Sequence, residues 1–298
     1  MNKTITIIGA TGKVGTKTTK NLLNKNYNLR LVGRDKEKLE VWKKESGVEV
    51  FPGDLKNTEF LTKALTGSDV VLTMLPSDYS TTNIGKYQDE LGVSITNAIK
   101  KSGVKKVLNL SSVGGHTEEK TGIVAGLARQ EQRLNNLEGV DVLHLRPSYF
   151  MENLITHIDV IKNMNIMGTP LAARKQFPLI ATNDVARVAA EKLQNHTWTG
   201  KTVQPLLGPK DYNMEEVTSA LAKAIGKPNL PYYQFPHDQE KENMMKRGLN
   251  ENVSEAIIKM NEGINDGVFN HEKRDVLSTT PTSIEEFATD TFKLEYQS

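Results

Sequence analysis

Three glycines near the start of the chain, Gly9, Gly12 and Gly15, have the spacing of a loop that binds phosphate groups. A β-branched run precedes them, and the segment after them carries apolar residues at helical spacing. In such a loop the first glycine allows a tight turn, the second lets the backbone approach a pyrophosphate, and the third lets the helix lie close to the strand. The free N–H groups and the positive end of the helix dipole would then hold the phosphates. Any single glycine could instead mark a bare turn, but this context favours a dinucleotide-binding loop, formed by Gly9, Thr11, Gly12, Lys13, Val14 and Gly15.

The second predicted strand ends at Gly33, and Arg34 follows it, about twenty residues after the glycine loop, where the adenosine ribose of a dinucleotide usually lies. An acidic residue there would bind the ribose hydroxyls of NAD. The guanidinium of Arg34 instead suits the 2′-phosphate of NADP, because it offers forked donors and a fixed charge. Asp35 follows immediately, so the alternative is that Arg34 and Asp35 form a solvated loop pair that caps the next helix. The position of Arg34 favours the phosphate, and we expect NADP(H) as the preferred cofactor, with NAD(H) possible.

Residues at the ends of the later strands extend the predicted cofactor site. The third strand, which starts at Val48, ends in Gly-Asp, and Asp54 either faces the adenine or caps the helix predicted over 58–65. The fourth strand, over 69–76, is mostly apolar, as buried parallel strands are, and the loop 76–82 would lie near the cofactor. The cofactor-binding residues predicted from these ends are Asp54, Leu55, Leu75, Pro76 and Ser111.

The far end of the cofactor is expected near the ends of the fifth and sixth strands. Tyr149 is predicted to pack against the nicotinamide, since an aromatic body is useful there without acid chemistry. His116 is a candidate proton donor, although a loop histidine is more often simply solvated. His144 lies within a strand and is predicted to be a hydrogen-bonded core residue. The predicted acceptor pocket consists of His116, Tyr149, Phe150 and Asn153, and the scattered histidines have no metal-ligand spacing, so no metal site is expected.

Regular alternation of strands and helices predicts an α/β fold with a doubly wound parallel sheet, the Rossmann arrangement. Residues 1–153 are predicted to form the nucleotide-binding domain. Residues 154–298 change rhythm, lack a glycine-rich loop, and are predicted to form a smaller, mostly helical lid region that is partly interleaved with the sheet. Individual expectations include helices over 36–44 and 84–102, and a helix capped by Asn183 and Asp184.

Composition excludes several classes of protein. The chain has 298 residues, of which 37% are hydrophobic and 25% charged, with a formal net charge of +2. That charge is too small to indicate a nucleic-acid partner. The absence of cysteine excludes disulfides and thiolate chemistry. A core strand begins within a few residues of Met1, and no apolar run has the length of a membrane span, so a signal peptide and a membrane are not expected and the expected location is the cytoplasm.

With these residues in place, the chain resembles the NmrA-like family of atypical short-chain dehydrogenases/reductases. The resemblance implies a Rossmann fold that binds NAD(P). It also implies one of two kinds of function, because the family includes NAD(P)H-dependent quinone and related reductases as well as proteins that bind the cofactor without turnover, as redox sensors or regulators. The matching motifs are Gly9-Ala10-Thr11-Gly12-Lys13-Val14-Gly15, Gly53-Asp54-Leu55, Ser111-Ser112, Glu131, Leu145-Arg146-Pro147, Phe150-Met151-Glu152-Asn153 and Asn183-Asp184-Val185-Ala186.

One departure from the wider superfamily concerns catalysis. Many relatives carry Tyr-x-x-x-Lys on the helix after the fifth strand, where the tyrosine is the general acid. If Glu131 is aligned, Ile123 and Leu127 occupy these positions here, and neither side chain can transfer a proton. We therefore expect either a reductase of a quinone-like or other easily reduced small-molecule acceptor, or a cofactor sensor that regulates a partner protein.

Overall fold

Seven parallel strands form the main sheet, and shorter strands pair beside it. The computed structural model describes residues 2–298. The strands are β1 Lys3–Ile8, β2 Tyr27–Gly33, β3 Val48–Pro52, β4 Val70–Met74, β5 Lys106–Leu110, β6 Asp141–Pro147, β7 Tyr149–Phe150, β8 Met167–Thr169, β9 Phe177–Ile180, β10 Lys201–Leu206, β11 Asp211–Tyr212 and β12 Tyr232–Gln234. The helices are α1 Lys13–Leu22, α2 Lys36–Glu40, α3 Thr58–Leu65, α4 Ile84–Ser102, α5 Ala125–Asn135, α6 Ile158–Met164, α7 Thr182–Asn195, α8 Met214–Ala224, α9 His237–Lys246, α10 Glu251–Asp266, α11 Ile284–Phe287 and α12 Lys293–Gln297.

The strand order of the main sheet is β10-β6-β5-β4-β1-β2-β3. The chain runs outward from β1 to β3 and then returns to β4 on the other side of β1, so the order reverses at the carboxyl ends of β1 and β4. In register, Ile5 lies between Leu29 of β2 and Val70 of β4. A crevice at such a reversal is where open α/β sheets bind their ligands. The predicted α/β fold class, a doubly wound parallel sheet, is confirmed.

Residues beyond 153 contribute an edge strand, a packed helix and a second core to this arrangement. β10 pairs in parallel with β6 and forms one edge of the main sheet. α7 carries a buried apolar face, which includes Val185 and Leu193, and packs in the same core as the apolar residues of α1. A separate core joins α8, α10 and α11 to the segment that follows β6. This second core stands beside the carboxyl ends of β5 and β6.

Local sequence explains where the longest helix begins and ends. The side-chain oxygen of Asn83 accepts a hydrogen bond from the N–H of Lys86 and so caps the start of α4. Gly103 follows the last turn at φ 76°, in the left-handed region that favours glycine. The helix predicted over 84–102 is confirmed.

Two helix boundaries predicted from the sequence are wrong. α2 ends at Glu40 rather than at 44, because the N–H groups of Trp42 and Lys43 donate to carbonyls three residues back and tighten the chain into turns. α7 begins at Thr182, so Asp184 lies inside its first turn instead of capping it. The Asp184 carboxylate accepts the N–H of Thr282 and attaches the C-terminal segment to α7.

No helix among residues 2–298 combines the length and the apolar character that a membrane crossing requires.

Candidate functional site

The glycine loop between β1 and α1 has no room for side chains at two of its three glycines. Gly9 has a φ of 80°, and its N–H and that of Ala10 both donate to the carbonyl of Val32 on β2. A Cβ on Gly15 would lie 2.1 Å from the carbonyl oxygen of Gly9, which is far inside van der Waals contact. A Cβ on Gly12 would lie 3.4 Å from the same oxygen, so nothing in the protein itself forbids a side chain there. The space beside Gly12 is therefore available to a ligand.

The first turn of α1 fits an anionic group. Gly12 is its N-cap residue and supplies no side-chain hydrogen bond, and the first turn contains no acidic residue. By contrast, α3, α4 and α8 are each capped by an asparagine side chain. The first N–H groups of a helix have no acceptor within the helix. Those of α1 thus have no side-chain cap, and the helix dipole favours an anion at this end.

Arg34 follows directly after β2, as predicted, but its partner is not Asp35. The Asp35 carboxylate accepts the N–H of Lys38 and caps α2. The prediction that this loop caps the next helix is therefore confirmed. Arg34 Nη1 instead donates to Asp78 Oδ2 at 3.2 Å, across the crevice. The side chains of Arg34 and Asp78 are 46% and 26% exposed. Arg34 is thus positioned at the end of β2 by a residue that the sequence interpretation had not singled out.

The residues after β3 show which side chain caps α3. Asn57, not Asp54, caps α3 by accepting the N–H of Phe60. Asp54 accepts the N–H of Lys56 two residues on and so shapes the turn. The capping alternative for Asp54 is wrong. Its assignment to the adenine stays a prediction, as do those of Leu55, which is buried, and of Leu75 and Pro76 at the end of β4.

A cavity lies at the carboxyl ends of β5 and β6. Its inner part, about 150 Å³, is lined by Ser111, Ser148 and Tyr149 among others. It shares residues, including Asn153 and Met260, with an outer part of about 480 Å³ that extends below α9 and α10. The outer volume is within the range of small-molecule sites. Three of the four residues predicted for the acceptor pocket line both parts: Tyr149, Phe150 and Asn153.

Two hydroxyl groups at the inner end of this cavity have no hydrogen-bond partner. The Oγ atoms of Ser111 and Ser148 are buried and unpaired in the described part of the chain. Burying a polar group without a partner costs free energy, so such groups in a cavity indicate a place for a polar ligand group. Ser111 was predicted to contact the cofactor, and Ser148 was not.

The other walls of the cavity are mainly apolar and aromatic. Burial raises the pKa of Tyr149, so its phenol stays protonated at neutral pH. Burial, followed by the charge of Arg247, lowers the pKa of His157 to about 4, so this ring is neutral there. Among the wall residues that the structure describes, the only charged ones are Glu240 and Arg247, which pair with each other at 2.8 Å. The cavity thus suits an uncharged or delocalised aromatic ligand.

His116 does not belong to this cavity, which corrects the predicted acceptor pocket. Its exposed ring stacks on His271 with 4.0 Å between centroids, over a separate surface depression that also contains Lys120. Partial burial, and then the neighbouring His271 and Arg146, lower the pKa of His116. Residues 111–115 separate His116 from the end of β5 at Leu110, and the His116 side chain is exposed. The structure therefore does not place His116 where it could donate a proton to a ligand in the cavity.

Buried charges hold the walls of the site in place. Arg146 donates to both carboxylate oxygens of Glu131, at 2.9 and 2.6 Å, and to Glu272 at 2.7 Å. A Cβ on Gly115 would lie 2.5 Å from the Glu131 carboxylate and 2.9 Å from Ser111 Oγ. The pair thus packs directly beneath the loop that carries Ser111. This explains two of the family motifs as structural supports of the site.

A second support joins the segment after β7 to α1 and α7. The buried Glu152 carboxylate accepts the N–H and the hydroxyl of Thr182 at the start of α7. Lys17 of α1 donates to Glu152 at 3.2 Å and to the Thr182 hydroxyl at 2.7 Å. Since Asn153 follows Glu152 directly, this network fixes the chain where the cavity begins.

His144 is a core residue, as predicted. Its ring is 1% exposed and lies 3.1 Å from the Asn109 amide and 3.0 Å from the Asn135 side-chain oxygen. Burial lowers its pKa to about 4, so it is neutral in the folded protein at pH 7.

Several residues of the cavity had not been predicted. They come from the C-terminal half, and include Ile257 and Met260 of α10 and Met244 of α9. The signal that could have found them is the apolar spacing of α10, where Val253, Ile257, Met260 and Ile264 recur at helical intervals. The spacing does not indicate which cavity this apolar face of α10 lines.

Comparison with known proteins agrees with this architecture. The sequence profile of the NmrA-like family matches residues 1–288. The photosystem II assembly factor Ycf39 of Guillardia theta is 27% identical over 226 residues, which cover 74% of this chain and 69% of that protein.

Solved structures with the same fold include proteins that hold nicotinamide cofactors. The NADPH-dependent quinone oxidoreductase QOR2 of Escherichia coli, complexed with NADPH, has a TM-score of 0.83 at 21% identity over 97% of this chain and 99% of that one. NmrA, a negative transcriptional regulator in complex with NADP, has a TM-score of 0.72 at 15% identity over 99% of this chain and 97% of that one. By the profile match, which spans almost the whole sequence, the chain belongs to the NmrA-like family.

Proposed function

We propose that this chain is an NADP(H)-dependent oxidoreductase that reduces quinone-like aromatic acceptors. The observation that carries the proposal is the largely apolar cavity that opens at the carboxyl ends of β5 and β6, beside two unpaired buried hydroxyls. The likeness in fold to a quinone oxidoreductase complexed with NADPH supports it. Residues 154–298 would then supply the outer walls of the acceptor site, as the predicted lid.

The residues at the sheet edge fit the parts of the cofactor one by one. The backbone at Gly12 and the first turn of α1 would hold the pyrophosphate. Arg34 would hold the 2′-phosphate. The unpaired hydroxyls of Ser111 and Ser148 would bind the carboxamide end, and Tyr149 would pack beside the ring. When bound, the reduced cofactor supplies a hydride.

The acceptor class follows from which proton donors the cavity walls provide. Ile123 and Leu127, which line the cavity, would stand at the dyad positions, and Tyr-x-x-x-Lys occurs nowhere in the chain. The raised pKa of Tyr149 makes its phenol a weak acid. A ketone becomes an alkoxide as hydride arrives and needs an acid, whereas a quinone spreads the arriving charge over its ring. Quinone-like acceptors can therefore react here with protons taken up from water.

The alternative is a cofactor sensor that does not turn over and that acts through a protein partner. It is supported by the same lack of a strong proton donor and by the likeness in fold to NmrA, described as a negative transcriptional regulator. A relative described as an assembly factor also fits a role without catalysis. In this case the C-terminal half would change its binding surface with cofactor occupancy.

A cavity-filling variant separates the two functions. Met260→Trp would fill the part shared by both volumes and should lower kcat/KM for naphthoquinone at least roughly tenfold, while the Kd for NADPH measured by calorimetry stays unchanged. Met245→Trp is the matched control, because Met245 is 42% exposed on α9. Equal quinone kinetics in both variants would contradict the cavity as the acceptor site. Tight NADPH binding without oxidation of NADPH by any acceptor would favour the sensor.

A further inference from the structure

A side-chain bridge crosses the crevice at the point where the strand order reverses. β1 lies between β4 and β2 in the sheet, and the loops after β4 and β2 meet above its carboxyl end. There Arg34 Nη1 donates to Asp78 Oδ2 at 3.2 Å. This is the only hydrogen bond that the Arg34 side chain makes within residues 2–298. The guanidinium that faces the predicted 2′-phosphate position is therefore already engaged by a carboxylate.

Asp78 is held in a fixed orientation by its own loop. Its Oδ1 atom accepts the N–H of Ser80 at 3.1 Å and the Ser80 hydroxyl at 2.6 Å. These bonds, together with Arg34, hold the pKa of Asp78 below its ordinary value, so the side chain is ionised at neutral pH. Since Oδ1 is saturated by the loop, Oδ2 is the atom that faces the crevice and can exchange one partner for another.

A buried hydroxyl beside this bridge marks the same place as a ligand site. Tyr87 of α4 is 6% exposed, and its hydroxyl has no hydrogen-bond partner in the described chain. The charges that act on this phenol are those of Arg34, Asp78, Lys56 and Asp54. An unpaired buried hydroxyl near charged side chains indicates a place where a polar group of a ligand could pair with it.

We propose that Asp78 sets the balance between NADP and NAD at this site. With NAD, Asp78 Oδ2 would accept a ribose hydroxyl, which is the role an acidic residue at the end of β2 has in other dinucleotide sites. With NADP, the 2′-phosphate takes Arg34 and must displace the carboxylate, which also repels it. The inference rests on the proposed cofactor role, and it makes Asp78 a specificity-determining residue that lies outside the β2 position.

The size of the effect follows from the exposure of the pair. An ion pair as exposed as this one changes a binding constant by at most about fivefold. Removal of the Asp78 carboxylate also removes its repulsion of the 2′-phosphate, which adds to this change. Asp78→Asn keeps the shape of the side chain and loses the charge. The ratio of NADP to NAD affinity should rise roughly five- to tenfold, through tighter NADP binding and weaker NAD binding.

Calorimetric titration of NADP and NAD into the wild-type protein and three variants tests this. Asp78→Asn and Asp78→Ala should both raise the ratio of NADP to NAD affinity. The alanine variant is included because the asparagine amide could form a new hydrogen bond to the cofactor, which alanine cannot. Asp35→Asn is the matched control. It also removes a carboxylate next to Arg34 in the sequence, but the Asp35 carboxylate caps α2 and does not pair with Arg34. An unchanged ratio in both Asp78 variants, or an equal rise in Asp35→Asn, would overturn the proposal. If the wild-type protein bound neither cofactor, the proposed function itself would fail.

Discussion

The carbonyl oxygen of Gly9 lies 2.1 Å from the position of a Cβ on Gly15, whereas a Cβ on Gly12 would lie 3.4 Å from it. The two glycines therefore serve different purposes. Gly15 lets α1 begin against the end of β1, which is a requirement of the fold. Gly12 leaves space that the protein does not fill, and we propose that the cofactor occupies it.

This difference predicts opposite phenotypes for the two glycines. Gly12→Val should fold with an unchanged Tm and lose most of its affinity for NADPH, because the branched side chain occupies the place of the pyrophosphate. Gly15→Ala should lower stability by about 1–3 kcal/mol through overpacking against the backbone. Thermal unfolding and calorimetry on both variants check this. Unchanged NADPH affinity in a folded Gly12→Val protein would refute the loop assignment.

Arg34→Ala should remove most of the preference for NADP(H) over NAD(H). A charge-assisted contact to a phosphate contributes about 1.5–3 kcal/mol, which is roughly ten- to a hundredfold in affinity. The Kd values of both cofactors should be measured at low and high salt, because an exposed charge contact weakens as salt rises. Equal affinities of the wild-type protein for the two cofactors would rule out this role for Arg34.

The buried pair of Arg146 and Glu131 should dominate stability near the cavity. Arg146→Met would leave the Glu131 carboxylate, which is 5% exposed, without its two hydrogen bonds. Breaking one side of a buried pair typically costs about 3–5 kcal/mol. Arg174→Met is a suitable control, since Arg174 is 84% exposed in its pair with Glu215. Urea unfolding should show a large loss for the first variant only, and similar losses would mean that the buried pair contributes little.

His144 should make stability depend on pH. Its folded pKa is about 4, below the ordinary value of about 6.5, so the unfolded chain binds a proton that the folded protein excludes. The stability that His144 contributes by staying neutral is fully present above about pH 6.5 and is lost as the pH falls toward 4. The loss of unfolding free energy from this group reaches about 2 kcal/mol by pH 5. The difference in unfolding free energy between pH 7 and pH 5 should shrink by about that amount in His144→Gln. An unchanged difference would show that His144 is protonated in the folded state.

The fold could be predicted best from the sequence at positions where the backbone geometry allows only one residue type. Gly9 and Gly15 could be placed because the turn and the close helix approach each exclude a side chain. Gly103 marks the end of α4 for the same kind of reason, since it lies in the left-handed region that favours glycine. In each case the constraint acts between residues that are close in the chain, so spacing alone reveals it.

Spacing failed where the partner is remote. Arg34 could be placed at the end of β2, but Asp78 is 44 residues away and becomes its partner only because β4 and β2 flank β1. The start of α7 depends on Glu152, which lies 30 residues before Thr182. His116 follows β5 in the sequence, yet its ring stacks on His271, which comes from the far end of the chain. Such contacts are set by the assembled fold.

We propose that NADPH reduces an aromatic acceptor in the cavity without a protein acid, and the rates with two acceptors of the same ring skeleton distinguish this from acid-assisted reduction. Naphthoquinone and tetralone should be compared as oxidants of NADPH, with kcat/KM measured for each on the wild-type protein. General acid help is commonly worth about 10²–10⁴-fold, so naphthoquinone should be reduced and tetralone should be reduced more slowly by at least that factor. Comparable rates with tetralone would refute reduction without a protein acid, because they would require a stronger proton donor than the weakly acidic Tyr149 phenol on the cavity wall.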